Sequence, residues 1–446
     1  MLPKSTHFLF LFLLLSFSNL SAQDSSRGEK DPFQVISYTL DNGLTVILNE
    51  DHHQPQIFGG VAVNAGGKQD PADATGMAHY LEHMLFKGTR ELGTSNFEAE
   101  KPHLDSILIL YDQLALVNSE EARKALQQKI NYHSTEAAQY SLANEFDNLL
   151  KSIGSTGVNA FTNEEMTFYH NSFPPNQVEK WLDVYAHRFQ QPVFRTFQSE
   201  LEVVYEEKNR SMDNFGTALI EKFNQQFFKN HPYGQQTVIG TVEHLKRPSL
   251  RKMYEYFNTY YVANNMALIL CGDFDSDEVK PLIEKTFGAL PKKDIPPYPD
   301  YPELPFAGAE LIKMKAAPVK LGAVGYRTVP KGHPDEVGLE VCNYLLFNES
   351  ETGLLNQLVL DNKIMFAGSF PQVYKDHGGQ IVFYVLKILG QSHKKGEELV
   401  FAQIDRLAQG TFSDDLLAAA KNEMIVDHEK RLEKLDDRGV ALGEAF

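Results

Sequence analysis

The run His79-Tyr80-Leu81-Glu82-His83 sets two imidazoles four residues apart with a carboxylate between them. On a helix, side chains at i and i+4 share a face, so His79 and His83 can offer two nitrogen donors to one metal ion. Glu82, three positions after His79, stands on the same turn and can take a proton from a metal-activated water without itself being a ligand. The order H-x-x-E-H inverts the commoner H-E-x-x-H of metal-dependent hydrolase helices. Its flanks suit a short helix: Gly76-Met77-Ala78 leads in from a loop, and Met84-Leu85-Phe86-Lys87-Gly88-Thr89 gives an apolar back and a Gly-Thr stop.

A tetrahedral catalytic zinc needs three protein ligands and one open position. Glutamates suited to the third place crowd the stretch ELEVVYEEKNRSMDN at 200–214, where Val203-Val204 is expected to set a buried helical stripe.

These residues belong to a longer series: Asp41-Asn42-Gly43-Leu44 at a first hairpin, Gly66-Gly67, HYLEH with FKGT, Gly157-Val158-Asn159-Ala160-Phe161-Thr162, His231-Pro232-Tyr233-Gly234, and Asn265-Met266 ahead of Gly272-Asp273. With that series the chain resembles the pitrilysin–insulysin family of zinc peptidases, the inverzincins, and in particular the amino-terminal half of a long bacterial-type member. The resemblance implies an α+β fold of tandem domains, each a mainly antiparallel sheet covered by helices. It also implies zinc as cofactor, peptides or unfolded polypeptides as substrate, and Glu82 as general base. In the family the distal ligand is the second of two glutamates seven apart on one helix, a separation that Glu200 and Glu207 have. Glu207 is thus the expected third ligand, and Glu200 the group that hydrogen-bonds a ligating imidazole and fixes its tautomer. Glu206, the nearest competitor, points about 100° away on an ideal helix. Glu202 and Glu206 are expected on a solvated face. Asn159, Ala160 and Phe161 are expected to border the cleft as a strand edge to which substrate adds through its backbone. The Phe161 ring serves equally well as a core aromatic.

Two departures from the family pattern stand out. From His83 to Glu207 there are 124 positions, an excess that maps to residues 97–150. There Leu104, Ile107, Leu108, Leu110 and Tyr111, and later Ala125, Leu126 and Ile130, recur at helical spacing, which predicts an inserted helical hairpin broken near Ser119, a suitable cap. Further on, Val359 and Phe366 occupy the places where the family carries an arginine and, seven residues later, a tyrosine that hold substrate across the cleft. A carboxyl-terminal half or partner subunit is expected to supply that pair. The alternative is a non-catalytic scaffold or binding subunit of a hetero-oligomeric peptidase, which has no need of base and ligands together.

The elements that must position these groups follow from periodicity. A hairpin over Val35–Leu48 and a strand near Phe58–Val63 precede the metal helix; helices to about Phe228 and over Ser249–Tyr260, then a strand over Met266–Cys271, complete a domain at 33–290. Residues 291–306 hold six prolines and form the linker. The pattern restarts at 307–446 with strands Glu310–Met314 and Leu321–Tyr326 and an apolar helix through Val337, Leu339, Val341 and Leu345, but without a second H-x-x-E-H. This metal-free repeat stops before the final strands that the first half leads one to expect.

Residues 1–22, with Lys4, an apolar run from Phe8 to Phe17 and Ser18-Asn19-Leu20-Ser21-Ala22, read as a secretory signal cut after Ala22. No later stretch approaches the roughly 18–20 apolar residues of a membrane span. An exported chain, periplasmic or secreted and without a transmembrane segment, is the expectation. Cys271 and Cys342 lie in apolar surroundings in different halves and are expected as buried thiols. The net charge of −17 disfavours nucleic acid and suits basic or neutral peptides.

Overall fold

The computed structural model describes residues 33–314, 319–387 and 390–446; the signal at 1–22 lies outside them. The first hairpin is β1 (Ile36–Thr39) and β2 (Thr45–Glu50), and β3 (Ile57–Val63) follows. The helix of the H-x-x-E-H run is α1 (Met77–Met84). Next come α2 (Phe97–Leu116), α3 (Glu120–Ala138) and α4 (Glu145–Ser152), with Ser119 capping α3 through the Ala122 N–H. Strands β4 (Thr156–Thr162) and β5 (Thr167–Phe173) form the second hairpin. They are followed by α5 (Val178–Gln190) and α6 (Phe197–Asp213), the helix of Glu200 and Glu207. With β6 (Met266–Gly272) they build a six-stranded sheet in the order β1-β2-β6-β3-β5-β4. Only β2 and β6 run parallel; the remaining pairs are antiparallel.

The central strands β3 and β6 are buried along their whole length, which explains their unbroken apolar runs IFGGVAV and MALILCG. One face of the sheet packs with α1, α5 and α6 in the main core around Tyr80, Leu81, Trp181, Tyr185 and Val204. The opposite face, with Phe58, Ala62, Phe168, Ala267, Ile269 and Cys271, meets Leu435, Val440 and Leu442 of the last helix, Leu435–Ala445. A Cβ on Gly439 would stand 2.1 Å from the Phe58 ring and one on Gly443 2.9 Å from Phe168, so glycine is what lets this helix lie on the sheet. Arg438 on the same helix pairs with Asp51 at the end of β2.

A second, three-stranded antiparallel sheet follows in the order β7 (Leu321–Thr328), β9 (Gly378–Val385), β8 (Phe366–Val373). It repeats the β3-β5-β4 trio of the first sheet. The strand expected at Glu310–Met314 does not form; residues 309–314 are irregular and Leu311 is 75% exposed. A short apolar run makes a strand only where a neighbour supplies its ladder bonds. The helix Glu336–Leu346 buries only Leu345 and Leu346, leaving Val337 exposed, contrary to the apolar face read from its pattern. Cys271 is buried as expected, whereas Cys342 is only half-buried. Among the described residues no helix is long and apolar enough to cross a membrane.

The proline-rich stretch 291–306 has no helix or strand and is largely exposed, but it is tied to the rest by hydrogen bonds. Tyr298 donates to the Lys68 carbonyl, and Glu303 accepts from the backbone of Asn230 and His231 and pairs with Arg327. Beside it the turn after β8 inserts Asp376 into a polar knot. Its carboxylate takes the buried Lys68 Nζ at 2.9 Å and the His231 ring at 3.2 Å, while Tyr233 donates to Glu165 at 2.5 Å. That knot absorbs the His231-Pro232-Tyr233-Gly234 run, which the sequence reading left without a role.

Candidate metal centre

Helix α1 begins at a glycine that has to be one. Gly76 has φ +88°, and a Cβ there would stand 2.9 Å from Gly240 Cα. The first N–H groups of a helix lack intrahelical partners, and here one buried carboxylate serves three of them. Asp70 accepts from the backbone of Gly76 (2.6 Å), Met77 (3.1 Å) and Ala78 (2.8 Å). Tyr80, Leu81 and Met84 then bury one side of α1, and Tyr80 donates to the Phe197 carbonyl at the start of α6. These contacts aim the other side, with His79 and His83, at α6.

On that side the two imidazoles stand edge to face with centroids 4.8 Å apart. His79 Nε2 lies 3.7 Å and His83 Nε2 3.5 Å from the same oxygen, Glu207 Oε2. Ligand atoms of these three residues all fall within 4.8 Å of one another. Tetrahedral zinc with bonds of about 2.0–2.2 Å separates its donors by roughly 3.5 Å, so the donor set suits that ion. Glu206 and Glu202 are exposed, as read, but so is Val203; only Val204 of that pair faces the core. Glu200, two turns before Glu207, accepts from His83 Nδ1 at 3.0 Å, and its other oxygen pairs with Lys87 Nζ at 2.5 Å.

Electrostatics favour neutral imidazole at His79, whose pKa is pushed down to about 4 by burial and by the adjacent His83. For His83 burial acts downward too, but the hydrogen bond to Glu200 and the charges of Glu207 and Glu82 outweigh it and raise the value. Glu200 is held below the usual carboxylate range: burial opposes this, and the hydrogen bonds from His83 and Lys87 prevail. Glu82 is raised by burial, against a hydrogen bond from Thr162 and the positive field of Arg188. Arg188 itself is fully buried, with its guanidinium 4.1–5.0 Å from the ring centres of Phe146, Phe86, Tyr185 and Tyr169.

Strand β4 is one of the two edges of the sheet and lies beside α1, joined to it by the 2.6 Å bond from Thr162 Oγ1 to Glu82 Oε2. Asn159 is exposed, and Ala160 is half-buried against the main core. Phe161 turns to the opposite face, its ring 5.7 Å from that of Phe168. Its side chain is therefore a packing group, and only its backbone is offered at the edge. Sequence reasoning missed Asp70, Lys87 and Thr162. Lys87 and Thr162 stood inside quoted motifs without a role, and their partners lie 113 and 80 positions away.

Comparison with known proteins shows the family. The family model described as Insulinase (Peptidase family M16) matches residues 45–101 and 126–241, and that described as Peptidase M16 inactive domain matches 249–424. The second begins in the stretch 249–290, whose strand β6 is part of the first sheet. The break at 102–125 falls within the α2–α3 hairpin. A Helicobacter pylori protein named Zinc protease PqqE is 23% identical over 412 residues, 90% of this chain and 81% of that protein. The crystal structure of a protease from H. pylori superposes with a TM-score of 0.71 at 21% identity, covering 92% of this chain and 88% of that one. The periplasmic protease PqqL from Escherichia coli gives 0.67 at 18% identity, with 92% of this chain on 41% of that one. The chain belongs to the pitrilysin–insulysin family, peptidase family M16.

Proposed function

We propose that this chain is a zinc-dependent endopeptidase acting on peptides or unfolded polypeptides, with His79, His83 and Glu207 as zinc ligands and Glu82 as general base. The observation that carries the reading is the convergence of both Nε2 atoms on Glu207 Oε2, with Glu82 on the same helix and an open strand edge alongside.

Zinc held there supplies a Lewis acid that polarises a carbonyl and brings the pKa of water to about 7. Glu82, buried and held at Oε2 by Thr162, keeps Oε1 to take the proton of the attacking water and pass it to the leaving amine. Glu200 holds the Nδ1–H of His83, so that Nε2 carries the lone pair. The free edge of β4 at Asn159, Ala160 and Phe161 receives an extended peptide through backbone hydrogen bonds. Val359 and Phe366 cannot provide the arginine and tyrosine of the family, so a carboxyl-terminal half or partner subunit supplies them. Export to the periplasm or beyond, after cleavage of 1–22, places the enzyme with its substrates.

Peptide hydrolysis by the zinc-loaded wild type and by Glu82→Gln, each with such a half or partner added, tests the reading. Turnover in the wild type and none in the variant is expected. Equal rates would remove Glu82 from the chemistry, and no turnover in either would favour the non-catalytic subunit.

A further inference from the structure

The two candidate imidazole ligands are supported unequally. His79 Nδ1 is buried with no hydrogen-bond partner, whereas His83 Nδ1 is held by Glu200. The polar anchoring of the imidazole pair therefore runs through one carboxylate. A carboxylate with a single partner can still swing about its last torsion; a second partner on its other oxygen fixes its plane. Lys87 is that partner, with Nζ 2.5 Å from Glu200 Oε2 and a side chain only 26% exposed.

Lys87 is in turn clamped through its backbone. Its N–H donates to the Met84 carbonyl at the end of α1, and its carbonyl accepts from Arg195 Nη1 at 3.2 Å. Arg195, buried just before α6, also donates to the Leu92 carbonyl and sends Nε to both oxygens of Glu100 at 2.8 and 3.1 Å. Glu100 belongs to α2, the first helix of the 97–150 hairpin. A continuous series of ion pairs and hydrogen bonds, passing through the Lys87 backbone carbonyl, thus joins the hairpin to a candidate ligand: Glu100, Arg195, Lys87, Glu200, His83.

We propose that Lys87 is a positioning residue for the metal site: it fixes Glu200, Glu200 fixes the His83 ring, and the α2 end of the hairpin holds Lys87 in place through Arg195. The proposal rests on the zinc assignment made above. Loss of a partner that orients a ligand typically weakens metal affinity by about 10–100-fold, and Lys87 acts one contact further out, so about tenfold is the expected effect.

Zinc dissociation constants of the full chain, measured by chelator competition, test it. Lys87→Met is expected to bind zinc about tenfold more weakly than wild type, Lys87→Arg to recover most of the loss, and Lys87→Met to add little in a Glu200→Gln background. Thermal unfolding of the metal-free variants shows whether they remain folded; if Lys87→Met does not, Lys87→Arg and Lys87→Gln in the same two backgrounds carry the comparison. Wild-type affinity in Lys87→Met, or a loss that simply adds to that of Glu200→Gln, overturns the proposal. A wild-type chain that binds no zinc overturns the zinc assignment instead, so the two failures are distinguishable.

Discussion

Thr162 Oγ1 donates a 2.6 Å hydrogen bond to Glu82 Oε2, tying the last residue of the edge strand β4 to the carboxylate on α1. Strand and carboxylate are thereby held in one geometry, so that under the proposed function a peptide added to β4 would lie beside the group assigned as base.

Thr162→Val keeps the shape and removes the donor. Turnover is expected to fall by about 10–100-fold with zinc content unchanged, and Thr162→Ser to recover most of it. Paired measurement of kcat and bound metal checks this; loss of zinc in Thr162→Val would show that the hydroxyl supports the fold of the site instead of the orientation of Glu82.

Asp70 satisfies three N–H groups at the start of α1, and an amide oxygen can replace at most part of that. Asp70→Asn is expected to cost about 1–3 kcal/mol of stability and to lower zinc occupancy, since His79 and His83 ride on this helix. Urea unfolding with and without metal reads both effects. A variant as stable as wild type would mean that the N–H groups find other acceptors.

Glu207→Gln should weaken zinc binding far more than Glu206→Gln, because only Glu207 shares the face of the two imidazoles and Glu206 is exposed. Chelator competition on both variants decides it. Equal losses would reassign the third ligand.

Asp51, joined to Arg438 of the last helix, has its pKa lowered from 3.8 to about 2: burial raises it, and hydrogen bonds from Arg438 and His53 outweigh burial. A depressed carboxyl contributes stability that is full above its unfolded value and is lost as pH falls through the folded one. The stability difference between wild type and Asp51→Asn should therefore be constant above about pH 5 and shrink as the pH drops towards 2. Urea midpoints at pH 6, 5, 4 and 3, chosen to bracket the roughly 3.9 of a free carboxyl, test this, and a pH-independent difference would contradict it.

The placement of the candidate residues was legible where it is local. His79, Glu82 and His83 lie within one helical turn or so, and the seven-residue step from Glu200 to Glu207 is two turns of α6, so spacing alone sets their faces. What supports them was not legible, because it depends on approach in space. Nothing around Lys87 announces Glu200, and nothing around Thr162 announces Glu82. Pattern also misled where no neighbour completes it. Leu311, Ile312 and Met314 offer the apolar side chains of a short strand, yet residues 310–314 form no ladder. The last helix reads as a helix, but that it covers the back of the first sheet shows only in space, in the approach of Gly439 to Phe58 and of Gly443 to Phe168.

The most direct test of the account is zinc stoichiometry, by metal analysis, in the purified wild-type chain and in Glu82→Gln. The geometry predicts about one zinc per chain in both, since one three-donor set is present among the described residues and Glu82 is not part of it. No zinc in the wild type after reconstitution, or its loss in Glu82→Gln, would contradict the assignment of His79, His83 and Glu207 as the complete ligand set.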